Sequence, residues 1–302
     1  VSFKVIKSGF LSLIEDYGRF GFAQYGLCQS GVADEHAYCW ANHLLENHFN
    51  DAILEITFGG CELKALTDSF IVVTGADLDF KIDGKIQPLW KVISIESGDT
   101  LTWSVAKNGM RTYLAVKGGF QTDQLFNSRS VTLREQIGLQ LMDDDELLSH
   151  ANSSKVVQHS IPSHFLPDYK PDLTLRLLPS YQFDQFDQQQ KETFFNQRYA
   201  ISGASDRTGC RLEGQSIQNI PCTMISEGIS YGSIEITTQG LPIILLKDRP
   251  TIGGYPKIGT VFSLDLAKLA QNQSGSTVSF ELIDIETAQK ERRDFNTFFA
   301  IN

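Results

Sequence analysis

The sequence is poor in cysteine, poor in proline and without a long apolar run. Its five cysteines, Cys28, Cys39, Cys61, Cys210 and Cys222, form an odd set with no Cys-x-x-Cys pair. That argues against a disulfide framework and against a zinc knuckle, and leaves reduced, packed thiols. The longest apolar runs, such as residues 243–246, are strand-sized and far short of the roughly 20 residues of a helical membrane span. No basic segment followed by an apolar core opens the chain, so the expected location is the cytoplasm. Lys and Arg number 26 against 36 Asp and Glu, a formal charge of -10, and no basic run is interleaved with aromatics. A nucleic acid backbone would be repelled. Phosphate-loop, dinucleotide-fold, His-Glu-x-x-His and Gly-x-Ser-x-Gly patterns are all missing. A Met-Lys-Met tripeptide, the usual setting of a biotinyl lysine, is missing too, so the chain does not carry its own biotin.

What is present is enough apolar residue, 41% of 302 positions, for more than one core. Ala37, Trp40, Ala41, Leu44 and Leu45 recur at helical spacing and predict a helix over 34–48, with Asp34 as its cap. Most of the following segments read as short strands between turns: 70–74, 81–82 around Asp83-Gly84, 91–95, 100–105 and 113–116. A polar stretch with Pro162, Pro167 and Pro171 suggests a boundary, giving domains 1–165 and 166–302. The second half predicts a strand at 173–178, a helix-like aromatic segment at 183–195 and strands through 278–283. The fold class is therefore mainly β with a few helices, in two lobes of barrel or sandwich type. Two echoes favour an internal duplication. Asp16-Tyr17-Gly18-Arg19-Phe20-Gly21 matches Asp206-Arg207-Thr208-Gly209, and Ser97-Gly98-Asp99-Thr100 matches Ser274-Gly275-Ser276-Thr277.

Candidate chemistry concentrates in residues 247–257. An apolar strand at 241–246 delivers Lys247, Asp248 and Arg249 to its end, and Gly253-Gly254 lets backbone N–H groups approach a ligand before Tyr255 and Lys257. Lys247, Arg249 and Lys257 could hold a carboxylate or phosphate, and Asp248 could orient one of them or take a proton; a tight turn with solvated charges is the plainer alternative. The loops around Gly18-Arg19 and Asp206-Arg207 each present an Arg fork suited to an anion, and are expected to face one cleft between the lobes. Asn42, Asn47 and Glu55 read first as cap and turn partners, with a supporting role at the site. His36, Cys39 and His43 share a helix stripe, but the two histidines are separated by about 10 Å of helix rise, too far for one ion. No metal is expected.

Several ordered motifs together resemble a known family. Asp16 to Gly21, Gly26, Ser30-Gly31-Val32-Ala33-Asp34, Ala41-Asn42, Asn47 and Leu54-Glu55 look like its opening. Thr74-Gly75-Ala76, Tyr113 to Phe120, Ser205 to Gly209 and Lys247 to Lys257 continue the match. The family is the biotin-dependent carboxyltransferase-like group, which includes the C component of 5-oxoprolinase, KipA proteins, proteins labelled allophanate hydrolase subunit 2 and the carboxyltransferase region of urea carboxylase. Asn127-Ser128-Arg129-Ser130 departs from its usual Gly-Ser-Arg-Ser, and Glu235 stands where Gln is usual.

The resemblance implies two cyclophilin-like β-barrel domains in tandem. It implies one component of an ATP-dependent 5-oxoprolinase complex, with a B-type (KipI-like) protein and an A-type (LamB/YcsF-like) protein as partners and a small amide or lactam as substrate. ATP would be held by the complex. In that reading Lys247, Asp248, Arg19 and Arg207 are catalytic, while Gly18, Asp206, Gly253, Gly254, Tyr255, Lys257, Asn42 and Glu55 bind substrate. Replacing Lys247 or Asp248 by Ala is expected to abolish activity and leave the fold intact. One alternative is a carboxyltransferase using biotin on a separate carrier. Another is a KipA-like regulatory module that binds a KipI-like partner. A homo-oligomer is also open.

Overall fold

The computed structural model describes residues 2–106, 108–150, 159–219 and 225–301; the polar run 151–158 and Cys222 lie outside them. The chain is mainly β and divides into two compact units. One comprises 1–19, 30–169 and 299–301, the other 20–29 and 170–298.

In the first unit, alternation builds one sheet. Phe3 and Val5 are buried while Lys4 and Ile6 are not, and the same holds for Cys61, Leu63 and Ala65 against Glu62 and Lys64. Antiparallel pairing sets Phe3 opposite Ala65 and Val5 opposite Leu63, so the inward side chains of both strands meet. That sheet has seven strands, in the order Phe120–Gln121, Glu146–Ser149, Phe3–Ser8, Cys61–Ala65, Thr100–Thr102, Lys81–Ile82 and Lys85–Ile86. A second sheet of five runs Leu11–Glu15, Ile53–Thr57, Asn108–Val116, Ser69–Asp77 and Val92–Ile95. Ile53–Thr57 is buried along its whole length. Both its faces are covered, so Glu55 and Thr57 are buried along with Ile53, Leu54 and Ile56.

The helix Glu35–Leu44 packs on the central strands of this second sheet. Its start is as expected, with the Asp34 side chain accepting from the Ala37 N–H at 3.0 Å. It ends earlier than the pattern to His48 suggests, since Leu45 leaves helical geometry and Glu46 takes a left-handed φ of 52°. The end is held by buried Lys117, whose Nζ donates to the carbonyls of Leu45 (2.7 Å) and Glu46 (3.0 Å). Lys117→Met keeps the stem and removes these bonds. The expected fall in unfolding free energy, from urea titration, is about 1–3 kcal/mol; no change would mean the carbonyls find other donors.

The second unit is a closed barrel of seven strands: Asp172–Pro179, Lys257–Val261, Ser233–Ile236, Pro242–Leu245, Gly209–Glu213, Tyr199–Ile201 and Thr277–Leu282. Thr277–Leu282 closes it by pairing in parallel with Asp172–Pro179. Leu175, Leu177, Tyr199, Ile234, Ile244, Val278 and Phe280 fill the core, and Phe194 of the helix Gln188–Phe195 stacks on Phe280 at 4.6 Å. That helix carries a capping box between Asp187 and Gln190.

The local echoes have a common geometry. Asp16 accepts from the Gly18 N–H and Asp206 from the Thr208 N–H, each a side-chain turn of two residues. Gly98 and Gly275 both take left-handed φ, 105° and 88°, each two residues before a strand. One further helix, Ile285–Phe298, follows the last barrel strand, and Ala288 is its one buried residue. Its start is marked by Asp284, which accepts from the Thr287 N–H at 2.8 Å. No helix among the described residues is long and apolar enough to cross a membrane. Cys28, Cys39, Cys61 and Cys210 are buried, and burial pushes the Cys61 thiol up to about 12.

Candidate functional site

The segment 247–257 leaves the barrel from the strand Pro242–Leu245. The loop of Arg207 runs beside it, with Leu246 N–H donating to the Thr208 carbonyl and Asp248 N–H to the Arg207 carbonyl, each at 2.9 Å. This ladder brings the two side chains together. Arg207 donates from Nε to Asp248 Oδ2 at 2.9 Å and from Nη2 to Oδ1 at 3.3 Å, with both side chains under 10% exposed. Asp206 does not touch the pair; its carboxylate closes the turn that aims Arg207, accepting from the N–H groups of Thr208 and Gly209.

Buried Lys247 places Nζ 4.7 Å from the centre of the Tyr231 ring, and Arg249 lies over the same ring at 5.8 Å. Arg249 also donates to the carbonyls of Ile229 and Leu246, and burial pulls its guanidinium below the ordinary range. Lys257, at the start of its barrel strand, is buried as well. Its Nζ forms an ion pair with Glu227, its N–H donates to Gln182 Oε1 at 2.6 Å, and Tyr181 O–H donates to both Glu227 oxygens. Lys257 and Tyr181 hold the Glu227 carboxyl below its usual range.

Glu235 pairs in register with Lys257 across the sheet. Gly253 lies against it, because a Cβ there would sit 2.4 Å from Glu235 Oε1. Gly254 is half-buried and Tyr255 is exposed at the outer end of the segment. Segment 227–235 is thus the spine of the site: Glu227 meets Lys257, Ile229 meets Arg249, and Tyr231 lies under Lys247 and Arg249. Apart from Glu235, that segment was not legible, and neither were Tyr181 and Gln182. No local motif marks them. They reach Lys257 because barrel closure sets Pro179 opposite Gly259 and Ser180 N–H on the Ile258 carbonyl.

Gly18, Arg19, Asn42 and Glu55 belong to the first unit. Arg19 is 2% exposed and its guanidinium faces the protein, donating to the carbonyls of Ser130 (2.8 Å) and Leu125 (3.4 Å) and to Thr132 Oγ1 (3.3 Å). Gly18 gives its N–H to Asp16 and lies under Gly31, where a Cβ would come within 3.0 Å of the Gly18 Cα. Asn42 donates to the Asp51 carbonyl and accepts from Asn47. Glu55 accepts from the Ala33 N–H at 2.9 Å and faces Arg111 at 3.4 Å. These contacts hold turns, helix end and sheet in place. The expectation that Asp248→Ala leaves the fold intact needs correction, because it would strand the buried Arg207 charge.

Residues 25–282 match the family model described as carboxyltransferase domain, subdomain A and B. The chain belongs to this carboxyltransferase family. It is 36% identical over 289 residues to the 5-oxoprolinase C component of Haemophilus influenzae, covering 93% of this chain and 91% of that one. It is 31% identical over 301 residues to the 5-oxoprolinase C component of Escherichia coli, covering 98% and 96%. Among solved structures, the Kluyveromyces lactis urea carboxylase superposes with a TM-score of 0.88 at 25% identity, over 98% of this chain and 29% of that chain. The carboxyltransferase match includes the Arg207 loop, the spine 227–235 and the segment 247–257, whereas Asp16 to Arg19 precede it.

Proposed function

We propose that the chain is the C-type component of an ATP-dependent 5-oxoprolinase that works with A-type and B-type partner proteins. The end-to-end likeness to the Haemophilus influenzae C component, over 91% of that protein, carries this reading. The relative is named as one subunit, which supports an assembly. Opening a lactam requires a resonance-stabilised carbonyl to become an electrophile, and phosphorylation of its oxygen by ATP supplies that when the complex is loaded. In this chain the residues fit the small substrate better than the nucleotide. Lys257 pairs with Glu227 and Arg207 with Asp248, so both cations sit beside carboxylates that offset their charge, which suits a ligand of low charge. Lys247 and Lys257 would stabilise the substrate carboxylate or the charge developing on oxygen. Arg207, aimed by Asp206 and fixed by Asp248, would keep the 247–257 segment in register.

Reconstitution tests it. The chain with both partner proteins is expected to show 5-oxoproline-dependent ATP hydrolysis with formation of glutamate, and no such activity would overturn the reading. The superposition on urea carboxylase over 98% of this chain favours a second reading, carboxyl transfer from biotin on a separate carrier to an amide. Transfer of label from carboxylated carrier to urea would establish that reading in place of the first.

A further inference from the structure

Between the strands Phe120–Gln121 and Glu146–Ser149 of the first unit, the fully described residues 122–145 form no further strand or helix. A connection of that length inside a folded unit is uncommon and is usually functional. This one is tied down along its course. Val131 N–H donates to the Ile14 carbonyl and Leu141 N–H to the Ser12 carbonyl, each at 3.1 Å, so 132–140 projects as a turn from the edge strand of the five-stranded sheet. Within it Thr132 and Ile137 exchange both backbone hydrogen bonds, at 2.8 and 3.1 Å. Asp16 and Arg19 hold its base at Ser128, Ser130 and Thr132.

What this frame presents is apolar. Leu139 is 87% exposed, Phe10 72% and Met142 61%. Gln140 Nε2 reaches the Phe10 carbonyl at 3.5 Å, which sets Leu139 and Met142, on either side of Gln140-Leu141, beside the Phe10 turn. The Phe10 ring stands edge-on to Phe58 at 5.5 Å. Clustered apolar side chains left in water mark an interaction surface, and a surface fixed before binding loses little freedom on docking.

Charge selects the occupant. Met142 is followed by Asp143, Asp144, Asp145 and Glu146, all exposed, and Glu62 lies on the strand paired with Phe3–Ser8. Lys4 pairs with Asp144 and Lys7 with Glu62, which leaves the charges of Asp143, Asp145 and Glu146 in excess; Arg134 and Glu135 of the projecting turn offset each other. A second copy docking through the same face would set these carboxylates against one another, and an anionic membrane surface would meet the same repulsion.

We propose that Phe10, Leu139 and Met142, rimmed by Asp143, Asp145 and Glu146, form the docking surface for a partner protein that offers an apolar recess bordered by Lys or Arg. This rests on the reading of the chain as one component of an assembly and gives one of its partners a place to bind. Asp16 and Arg19 then serve as the frame of that surface.

The test immobilises the full chain and titrates it with the A-type and the B-type partner proteins, separately and together, by biolayer interferometry at about 50 and 500 mM salt. Expected is binding of one of them that weakens as salt rises. Phe10→Ser combined with Leu139→Ser is expected to weaken it at least about tenfold, because two side chains lose their burial. Ile86→Ser, at a 73% exposed position on the far edge of the seven-stranded sheet, is expected to change nothing. Glu146→Lys is expected to weaken binding and flatten its salt dependence. All these positions are exposed, so urea midpoints should match the parent's; if the double replacement unfolds, Leu139→Ser alone carries the test. Parent-like affinity in the double variant, an equal loss in Ile86→Ser, salt-independent binding, or no binding of either partner would each overturn the proposal. So would a parent chain that sediments as a dimer and becomes monomeric in the double variant, or one that binds phosphatidylglycerol vesicles through the same residues. Partner binding lost in the double variant, with no 5-oxoproline hydrolysis by the parent complex, would count against the oxoprolinase reading alone. Hydrolysis by a complex that takes up the double variant with the parent's affinity would count against this surface alone.

Discussion

Truncating Arg207 to Ala is expected to lower the unfolding free energy of the ligand-free chain by about 3–5 kcal/mol. Arg207 and Asp248 meet through two hydrogen bonds and are both nearly sealed from water. Removing the guanidinium leaves Asp248 as a buried carboxylate with its main counter-charge gone, and that desolvation is no longer offset. Asp248→Ala should do similar damage from the other side. A double replacement, Arg207→Met with Asp248→Leu, removes both charges and keeps the volume, so most of the loss should return. Urea titration of the four proteins gives the coupling directly. Single variants within about 1 kcal/mol of the parent, the scale of exposed pairs, would show that water reaches the pair, and Arg207 would again be a candidate anion holder. The same numbers bear on activity measurements, since a loss of activity in Asp248→Ala mixes chemistry with folding.

What the sequence made legible was what lies close together along the chain. The capped helix after Asp34, the short strands, the turn glycines Gly98 and Gly275 and the density of functional residues in 247–257 all depend on neighbours a few positions apart. Family membership was legible because many such local motifs stand in order. What was not legible depends on closure. Glu227, Tyr231, Tyr181 and Gln182 are separated from Lys257 by up to 76 positions, and long-range pairing assembles them: the barrel's strand order, and a separate two-stranded pairing of Glu227–Gly228 with Ile252–Gly253. Arg19 shows the converse limit. Its sequence setting resembles that of Arg207, and both loops share an Asp-closed turn, yet one arginine faces backbone carbonyls and the other a carboxylate. Local pattern sets the turn; long-range packing sets what the side chain meets.

Asp16→Ala should be the most damaging change in the first unit, with an expected loss of at least about 3 kcal/mol by urea titration. Asp16 is 2% exposed and its carboxylate accepts from Gly18 N–H (2.9 Å), Ser128 Oγ (2.7 Å), Arg129 N–H (2.7 Å) and Ser130 Oγ (2.6 Å). The Gly18 N–H and the Ser128 and Ser130 hydroxyls would be left in the interior, and the half-buried Arg129 N–H beside them, without this acceptor. Asp16→Asn keeps one carbonyl oxygen but turns the other position into a donor facing donors, so a smaller loss of about 1–2 kcal/mol is expected. The effect should spread to Arg19, because the Ser130 carbonyl that receives its guanidinium belongs to the loop that Asp16 ties down. Asp16→Ala and Arg19→Met should therefore be non-additive, each removing part of what the other supports, by about 0.5–3 kcal/mol. Additive losses would mean that Arg19 is held independently of Asp16, and the motif from Asp16 to Gly21 would be two separate devices. Non-additive losses make it one architectural unit, which sets the first loop apart from the Arg207 loop beside the 247–257 segment.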